Sequence, residues 1–455
     1  MSTQAFQFNA EVTRPRNHSL RISMLWLAAA LSFAAAHAVH ADTLRQALLQ
    51  AYQSNAAIQA QQAQLRASGF QLEQAQAGYK PQVSFEAGIG TAHNDLASPF
   101  FPISTYPQNT KTAGLVITQP LYSGGQTSAN VDAARALQSS QQAILSATEE
   151  QVFLKVAQAY SDVVRDRVVV ELEQNNLEVL NKQLQATQAE FQNGEVTHTD
   201  VAQAEARAAG AQAALIQAQG SLTESRAAYL RVVGASPQNL EQPELPVPLP
   251  GSETEAVQLS SQNFPVLAAR FAQNAAEQQV QATSGKQLPQ IALTGQLLEA
   301  RDPEIGFSRV DTRSIMLTLS VPIYSGGALS AEKHAAEQRA QASRDDLTDA
   351  ERQAQLEAVN AWQALQTANA KLTAIKSQVQ AEEIAARGVR DEQAVGERTT
   401  LDMLNADQEL LNARVDLIRA ERDQLVAAYA LQAATGRLTA DALHLQSPQV
   451  DQPQG

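Results

Sequence analysis

The 455 residues of the sequence include no cysteine, and this absence removes several classes of function. Without thiols there is no disulfide framework, no thiolate nucleophile, no cysteine metal ligand and no N-terminal cysteine to carry a lipid anchor. Aromatic residues are scarce, at 5% of the chain, and charged residues make up only 18%. Function therefore has to come from shape and from the distribution of charge.

Motifs for catalysis and for nucleotide binding are missing as well. The seven histidines are scattered, and their only close pair, His37 and His40, lies near the N-terminus, so no zinc or catalytic histidine cluster is formed. The sequence has no Walker motif, no Gly-x-Gly-x-x-Gly after a strand and no nucleophile elbow. We expect no cofactor, no bound metal and no enzymatic activity, and any energy must come from a partner.

Long apolar runs are absent except near the N-terminus. There, basic residues precede the apolar stretch 22–36, and small residues follow it with possible cleavage after Ala38 or Ala41. This order predicts a secretory signal peptide over residues 1–41. The alternative is a membrane anchor, but the apolar run of 15 residues is shorter than the roughly 20 that a spanning helix needs.

The mature chain consequently has two possible locations. With no further apolar run of helix-spanning length, it is either soluble in the periplasm or crosses a membrane as β-strands. The whole chain carries a formal charge of −14, and loss of the signal with its three Arg and one Glu leaves the mature chain near −16. So acidic a chain is a poor ligand for nucleic acid, and we expect no nucleic-acid partner.

An internal repeat organises the chain. Residues 119–125, QPLYSGG, return as 321–327, VPIYSGG, at an offset of 202 residues. Further residue pairs keep the same offset: Ala159-Tyr160 with Ala361-Trp362, Gly194-Glu195 with Gly396-Glu397, Asp200 with Asp402, and Gly234 with Gly436. Pro81 and Pro289 are 208 residues apart, which places a length difference in the loop before the Tyr-Ser-Gly-Gly turns.

Proline marks the division between the repeats. Residues 237–251 contain five prolines and can continue neither a helix nor a strand ladder. We therefore predict a first repeat at 42–236, a linker at 237–254, a second repeat at 255–442 and a disordered tail at 443–455.

Each repeat is predicted to contain two strands. Apolar residues alternate with polar or small ones after Pro81 and Pro289 and again before each Tyr-Ser-Gly-Gly turn. The strands have about ten residues and are joined by polar, proline-bearing or charged loops at 94–111 and 299–312, which suits a membrane-crossing hairpin. An ordinary half-buried sheet is the alternative, and alternation alone favours it.

The remaining segments are predicted to be helical because they are rich in Ala, Gln and Glu with almost no internal Pro or Gly. The predicted helices are 43–78, 126–193, 197–233 and their counterparts from 255 onward. Apolar residues along 177–191 and 401–429 step by three and four, which is typical of a coiled coil. Elsewhere the helix faces carry alanine where a globular core would need Leu or Phe. These helices are therefore poorly suited to a thick core and are better suited to close side-by-side packing around something wide.

Together the signal peptide, the repeat and the twin Tyr-Ser-Gly-Gly turns give a chain that resembles the TolC-like outer-membrane factor family over residues 43–442. The resemblance implies a mainly α fold with a small β part. Each subunit of a homotrimer would supply four membrane strands to one 12-stranded β-barrel, continued by an α-helical periplasmic tunnel. Open strand edges are not tolerated in lipid, so four strands could not cross the membrane alone.

The resemblance also implies an entrance gate at the periplasmic ends of the helices. Asp402 matches an acidic ring of the family, and Arg398 matches a link toward Thr199 and Asp200 on the neighbouring hairpin. An Arg–carboxylate bond is strong yet can be broken by a docking partner. For Asp402, a capping role in the first helical turn is the alternative.

Two entrance positions depart from the family pattern. Asn405 stands where a second acid is expected, and Gln393 stands where an aromatic hydroxyl is expected. We expect weaker attraction of cations and an entrance that opens more easily. The hairpin tips at Gly194-Glu195 and Gly396-Glu397 are the predicted docking points for a partner.

The predicted function is that of the exit duct of a tripartite efflux or type I secretion system in the cell outer membrane. Its partners would be outer-membrane lipid, a periplasmic adaptor (membrane fusion) protein and an inner-membrane pump of the RND, MFS or ABC type. The alternative is a periplasmic coiled-coil adaptor or scaffold. Drugs, metal ions, nodulation signals and polypeptides are all cargoes compatible with the sequence.

Overall fold

The computed structural model describes residues 43–98, 101–246, 248–304 and 307–445. The predicted signal peptide at 1–41 lies outside these residues, as does the predicted tail from 446 onward. The elements are α1 (Leu44–Ser54), α2 (Ala56–Gln76), β1 (Gln82–Ser98), β2 (Phe101–Ser123), α3 (Gln126–Gln192), α4 (His198–Val233), α5 (Glu253–Ser260), α6 (Phe264–Gly285), β3 (Gln290–Glu304), β4 (Phe307–Ser320), α7 (Ala328–Ala394) and α8 (Thr400–Ala434). This order confirms the predicted fold class of long helices with two inserted hairpins.

The four strands form one antiparallel sheet in the order β1-β2-β3-β4. The two hairpins share one register, because Gln82 pairs with Thr118 and their repeat equivalents Gln290 and Ser320 also pair. Strands β2 and β3 join the repeats, with Leu115 opposite Leu297. Strands β1 and β4 are left as the two edges of the sheet.

The strands extend further than the sequence predicted. They contain 17, 23, 15 and 14 residues in chain order, and pairing continues through Asn94 and Tyr106. The predicted loops at 94–111 and 299–312 were therefore wrong, except at 99–100 and 305–306, which lie outside the described residues. The hydrogen bonds between strands join backbone groups, so polar side chains do not end a strand. The same polar residues interrupt the hydropathy pattern, and for this reason the sequence did not predict the full length of the strands. Pro120 is accommodated where the register with β3 shifts.

The predicted helix 43–78 was also wrong, since it is broken at Asn55. This residue is extended, with φ −69° and ψ 124°, and it ends α1 and begins α2. Its Oδ1 accepts from the Ala57 backbone N–H at 3.0 Å, and its Nδ2 donates to the Val232 carbonyl oxygen at 3.0 Å. The side chain thus caps α2 and ties the break to the end of α4. None of the helices in the described ranges has the length and apolar character needed to cross a bilayer.

Helices α3 and α7 are the longest elements, with 67 residues each. At 1.5 Å per residue each is about 100 Å long. Each forms a hairpin with the helix that follows it, so the chain has an α3–α4 hairpin and an α7–α8 hairpin.

The main core lies around the middle of α3. Phe153 and Tyr160 of α3 are fully buried there among residues of α1, α4 and the segment after α8. The predicted linker takes part, because the Tyr160 hydroxyl donates to the Glu241 carbonyl oxygen at 2.9 Å and Leu240 is buried. Leu445, which we had assigned to the tail, is buried in the same cluster. We call this core the helical belt; it includes residues near the C-terminal ends of α4 and α8, which are the ends away from the hairpin tips.

Candidate channel entrance

The tips of the two hairpins have the same backbone geometry. Gly194 and Gly396 adopt left-handed conformations, with φ of 78° and 82°, which glycine adopts without steric cost. The backbone N–H of the next residue then donates back to a carbonyl five residues earlier: Glu195 to Glu190 and Glu397 to Glu392, both at 2.9 Å. This closes each long helix with a Schellman-type turn. Glu195 and Glu397 are left exposed at the tips.

A capping box begins the return helix of each hairpin. Asp200 Oδ2 accepts from the Thr197 backbone N–H at 2.8 Å and from its hydroxyl at 2.7 Å. Asp402 Oδ2 accepts from the same groups of Thr399, at 3.1 and 2.8 Å. Each threonine hydroxyl oxygen in turn accepts from the aspartate backbone N–H. Capping of this kind satisfies N–H groups that have no partner within the helix.

These bonds keep both carboxylates ionised. The Thr399 hydroxyl and backbone N–H, together with nearby Arg398, hold the pKa of Asp402 below its usual range. The Thr197 backbone N–H and hydroxyl lower the pKa of Asp200 in the same way. Asp402 therefore combines the capping role with a negative charge at the start of α8, where the helix dipole favours it.

Arg398 is held within its own hairpin. Its Nε donates to Glu392 Oε2 at 3.0 Å, which joins the tip to the last turn of α7. Within the described part of the chain, no hydrogen bond joins Arg398 to Thr199 or Asp200, and its link to a neighbouring hairpin stays a prediction. Gln393 lies beside Glu392 and is partly exposed. Glu392 was not identified from the sequence.

Asn405 is bonded to the other hairpin. Arg207 Nη2, on α4, donates to Asn405 Oδ1, on α8, at 2.7 Å. Next to this bond, Leu180 of α3, Ala211 of α4 and Leu404 of α8 form a small buried cluster. Arg207 was not predicted from the sequence; the one available signal was its position one helical turn before Ala211, which puts both residues on one helix face.

Two ion pairs tie α7 to α8 above the tip. Arg390 bonds Asp407 through Nε at 3.1 Å and Nη2 at 2.5 Å, and Arg414 Nη2 donates to Glu383 Oε1 at 2.8 Å. Bonds between charged partners are stronger than neutral ones. The part of the α7–α8 hairpin near its tip is therefore held together by ion pairs between its two helices.

The repeats with their hairpins and inserted strands match a known family. The model for "Outer membrane efflux protein" covers residues 47–235 and 256–437, which is most of the described chain. The chain belongs to the outer membrane efflux protein family. It is therefore a channel subunit of the cell outer membrane with its helical part in the periplasm, as the sequence predicted.

The chain is similar to individual curated proteins and solved structures over most of its length. It is 36% identical to the outer membrane efflux protein BepC of Brucella suis over 414 residues, 90% of this chain and 88% of BepC. It is 29% identical to the alkaline protease secretion protein AprF of Pseudomonas aeruginosa over 292 residues, 61% and 60% of the two chains. The outer membrane protein VceC of Vibrio cholerae has the same fold, with a TM-score of 0.75, 23% identity and coverage of 86% and 96%.

The family consists of transport channels rather than enzymes. As an outer membrane efflux protein, the chain acts as an exit duct through the outer membrane. Over the described ranges, no group of three or more His, Asp or Glu side chains is arranged to hold a metal ion.

Proposed function

We propose that three copies of the chain form one channel, and that its hairpin tips receive cargo from a periplasmic adaptor and an inner-membrane pump of the RND, MFS or ABC type. The pump supplies the energy, so the channel itself needs neither a cofactor nor a catalytic residue. The two edge strands support the trimer, because β1 and β4 each pair on one side only and an unpaired edge is not tolerated in lipid.

Two glycines at equivalent positions have different surroundings, and this difference supports the proposed trimer. Gly124 and Gly326 occupy the same place in the two repeats and both have φ of 63°. A Cβ on Gly124 would overlap the carbonyl oxygen of Gly285 at the end of α6, whereas a Cβ on Gly326 would meet no atom within 4 Å in the described chain. In a ring of copies, the end of α2, the repeat equivalent of α6, would lie against Gly326.

The faces of α3 and α7 differ in the same way. Ala129, Ala133 and Ser140 are buried on α3, where Ser140 Oγ donates to the Ala268 carbonyl oxygen of α6 at 2.9 Å. The equivalents of these residues on α7 are Ala331, Ala335 and Ala342, and all three are exposed. Small residues at equivalent positions favour an equally close helix neighbour. We infer that α2 of a second copy is this neighbour.

Substitutions on α7 test the trimer directly. Ala335→Trp places a large ring where the α2 helix of the next copy would pack, and we expect the mass in detergent to fall from three subunits to one. His334→Trp is the matched control, because its equivalent Asp132 is exposed on α3. It should remain a trimer. An Ala335→Trp protein that is still a trimer with unchanged conductance would contradict the proposed packing.

At the other end of the molecule, we propose that the tips at Gly194-Glu195 and Gly396-Glu397 contact the adaptor, with Asp402 contributing charge at the entrance. The matching geometry of the tips supports this, since one kind of adaptor surface could bind both. Arg398, Thr199, Asp200, Gln393 and Asn405 complete the proposed entrance. Replacing Glu195 and Glu397 together by Gln should weaken adaptor binding in a pull-down with the cognate adaptor, while conductance of the isolated channel stays unchanged.

The proposed route to the membrane begins with the signal peptide at 1–41. The repeats at 42–236 and 255–442, the linker at 237–254 and residues 443–455 would then make up the mature chain. An intact-mass measurement of protein from outer membranes tests this proposal, since cleavage after Ala38 and after Ala41 give different masses. Retention of the full 455 residues would contradict it.

A further inference from the structure

The two hairpins of the subunit are joined near their tips by very few contacts. Among the residues described, the bond from Arg207 to Asn405 is the hydrogen bond between the hairpins that lies closest to the tips. Both residues lie within the first three turns of their helices. The small apolar cluster around Leu404 lies immediately beside this bond.

The bonds within the α7–α8 hairpin are of a different kind. Arg390 to Asp407, Arg414 to Glu383 and Arg398 to Glu392 each pair a cation with an anion. The bond between the hairpins has one charged partner, Arg207, and a neutral acceptor, so it lacks the Coulomb attraction between opposite charges that an ion pair adds. The α7–α8 hairpin is thus held together near its tip by several ion pairs, whereas in the described part of the chain a single hydrogen bond attaches this region to the α3–α4 hairpin.

We propose that Arg207 is a positioning residue of the entrance, whose bond to Asn405 holds the α7–α8 hairpin against the α3–α4 hairpin in the closed channel. Release of this bond lets the α7–α8 hairpin move as one unit, because its own ion pairs stay intact. The proposal rests on the proposed function, since it assumes that the hairpin tips form the entrance.

The neutral side chain of Asn405 suits a bond that has to be released when the channel opens. An aspartate there would turn the bond from Arg207 into an ion pair and would hold the entrance more firmly closed. Asparagine keeps the acceptor in place but makes it weaker. The side chain of residue 405 would therefore set how readily the channel opens, through its bond to α4 and independently of any charge it presents to passing ions.

A double-mutant cycle in planar bilayers separates these two effects. The purified trimer is compared with Arg207→Met, Asn405→Asp and the double variant, and the single-channel conductance and open fraction are recorded. We expect Arg207→Met to raise the open fraction about fivefold, the factor that corresponds to one typical hydrogen bond. Asn405→Asp should lower it by a similar factor, but only when Arg207 is present. Arg207→Lys should restore part of the wild-type behaviour.

Two controls complete the experiment. Arg226→Gln, an exposed arginine on the same helix α4, should leave the open fraction unchanged. Thermal unfolding of each variant trimer shows whether a change in conductance merely reflects loss of structure. Equal effects of Asn405→Asp with and without Arg207, in a wild-type protein that conducts, would overturn the role of Arg207. A wild-type trimer with no conductance would instead contradict the proposed function.

Discussion

Asp162 on α3 accepts hydrogen bonds from two arginines in different repeats. Its Oδ1 is 2.8 Å from Arg165 Nη1 on its own helix and 2.8 Å from Arg422 Nε on α8. Arg165 also bonds Asp166, whose side chain is buried, and Arg422 also bonds Asp423. This network ties the repeats together about 30 residues above the tip of α3. It contrasts with the bond near the tip, from Arg207 to the neutral amide of Asn405.

Loss of the bond from Arg422 should destabilise the subunit. Arg422→Met keeps the aliphatic stem but removes the charge, and Asp162 is then left with one cation in a partly buried site. We expect the free energy of unfolding to fall by about 1–3 kcal/mol, the range for hydrogen bonds to charged groups. Denaturant unfolding in detergent measures this change. Arg419→Met is the control, since Arg419 pairs with Asp416 in an exposed site on one helix, and it should cost less than about 1 kcal/mol.

Glu150 is a buried acid whose environment disfavours its charge. Its side chain lies in the core of the helical belt, and its Oε1 has no hydrogen-bond partner among the described residues. Burial raises its pKa to about 9, with Glu357 adding to the rise and the Leu438 backbone N–H opposing it. Neighbouring Glu149 has its pKa raised to about 7 by burial and by Asp441.

These shifts predict that stability falls as pH rises. The folded chain keeps a proton on Glu150 between the ordinary pKa of 4.5 and about 9, whereas the unfolded chain has lost it, so the free energy of unfolding decreases across that window. Glu150→Gln cannot ionise and should flatten this decrease in thermal unfolding from about pH 5 to pH 9, with Glu149 accounting for a remaining slope. Glu171→Gln, on the exposed face of α3, should leave the dependence as it is. An unchanged slope in Glu150→Gln would refute a neutral buried acid.

The repeat also predicts which residues meet between copies in the sheet. Leu115 pairs with Leu297 within the chain, and their repeat equivalents are Leu317 on one edge strand and Ile89 on the other. Paired residues on antiparallel strands are close enough for a disulfide. Because the chain lacks cysteine, the variant Leu317→Cys with Ile89→Cys should form covalent dimers and trimers on oxidation. The variant Leu319→Cys with Ile89→Cys, two residues out of register, should form few; equal cross-linking of both pairs would mean another register.

Charge at the entrance can be separated from helix capping, because Asp200 and Asp402 have the same capping bonds. Asp200→Asn and Asp402→Asn should each lower the free energy of unfolding slightly and to a similar extent, because each weakens the same capping-box bonds. Only Asp402→Asn should reduce cation selectivity, measured as the reversal potential in a salt gradient across a planar bilayer. If both variants change the selectivity, or if neither does, the charge of Asp402 is not what sets cation selectivity at the entrance.

The sequence predicted those features that depend on its periodicity. The repeat offset and the alternation located both hairpins, and the glycines at 194 and 396 marked both tips. It did not predict the helix break at Asn55, because the surrounding Ala and Gln favour a helix on either side. Nor did it predict Arg207 as the partner of Asn405, because their bond joins helices that are far apart in the chain. Contacts of this kind depend on how the hairpins pack, which local patterns do not encode.

Mass and conductance of one wild-type sample test whether three copies of the chain form a channel. The mature protein is extracted from outer membranes, its mass in detergent is determined, and single channels are recorded in a planar bilayer. We expect a mass of three subunits and a cation-selective conductance from that species. A water-soluble monomer that inserts into no bilayer would contradict it and would favour the periplasmic coiled-coil adaptor instead.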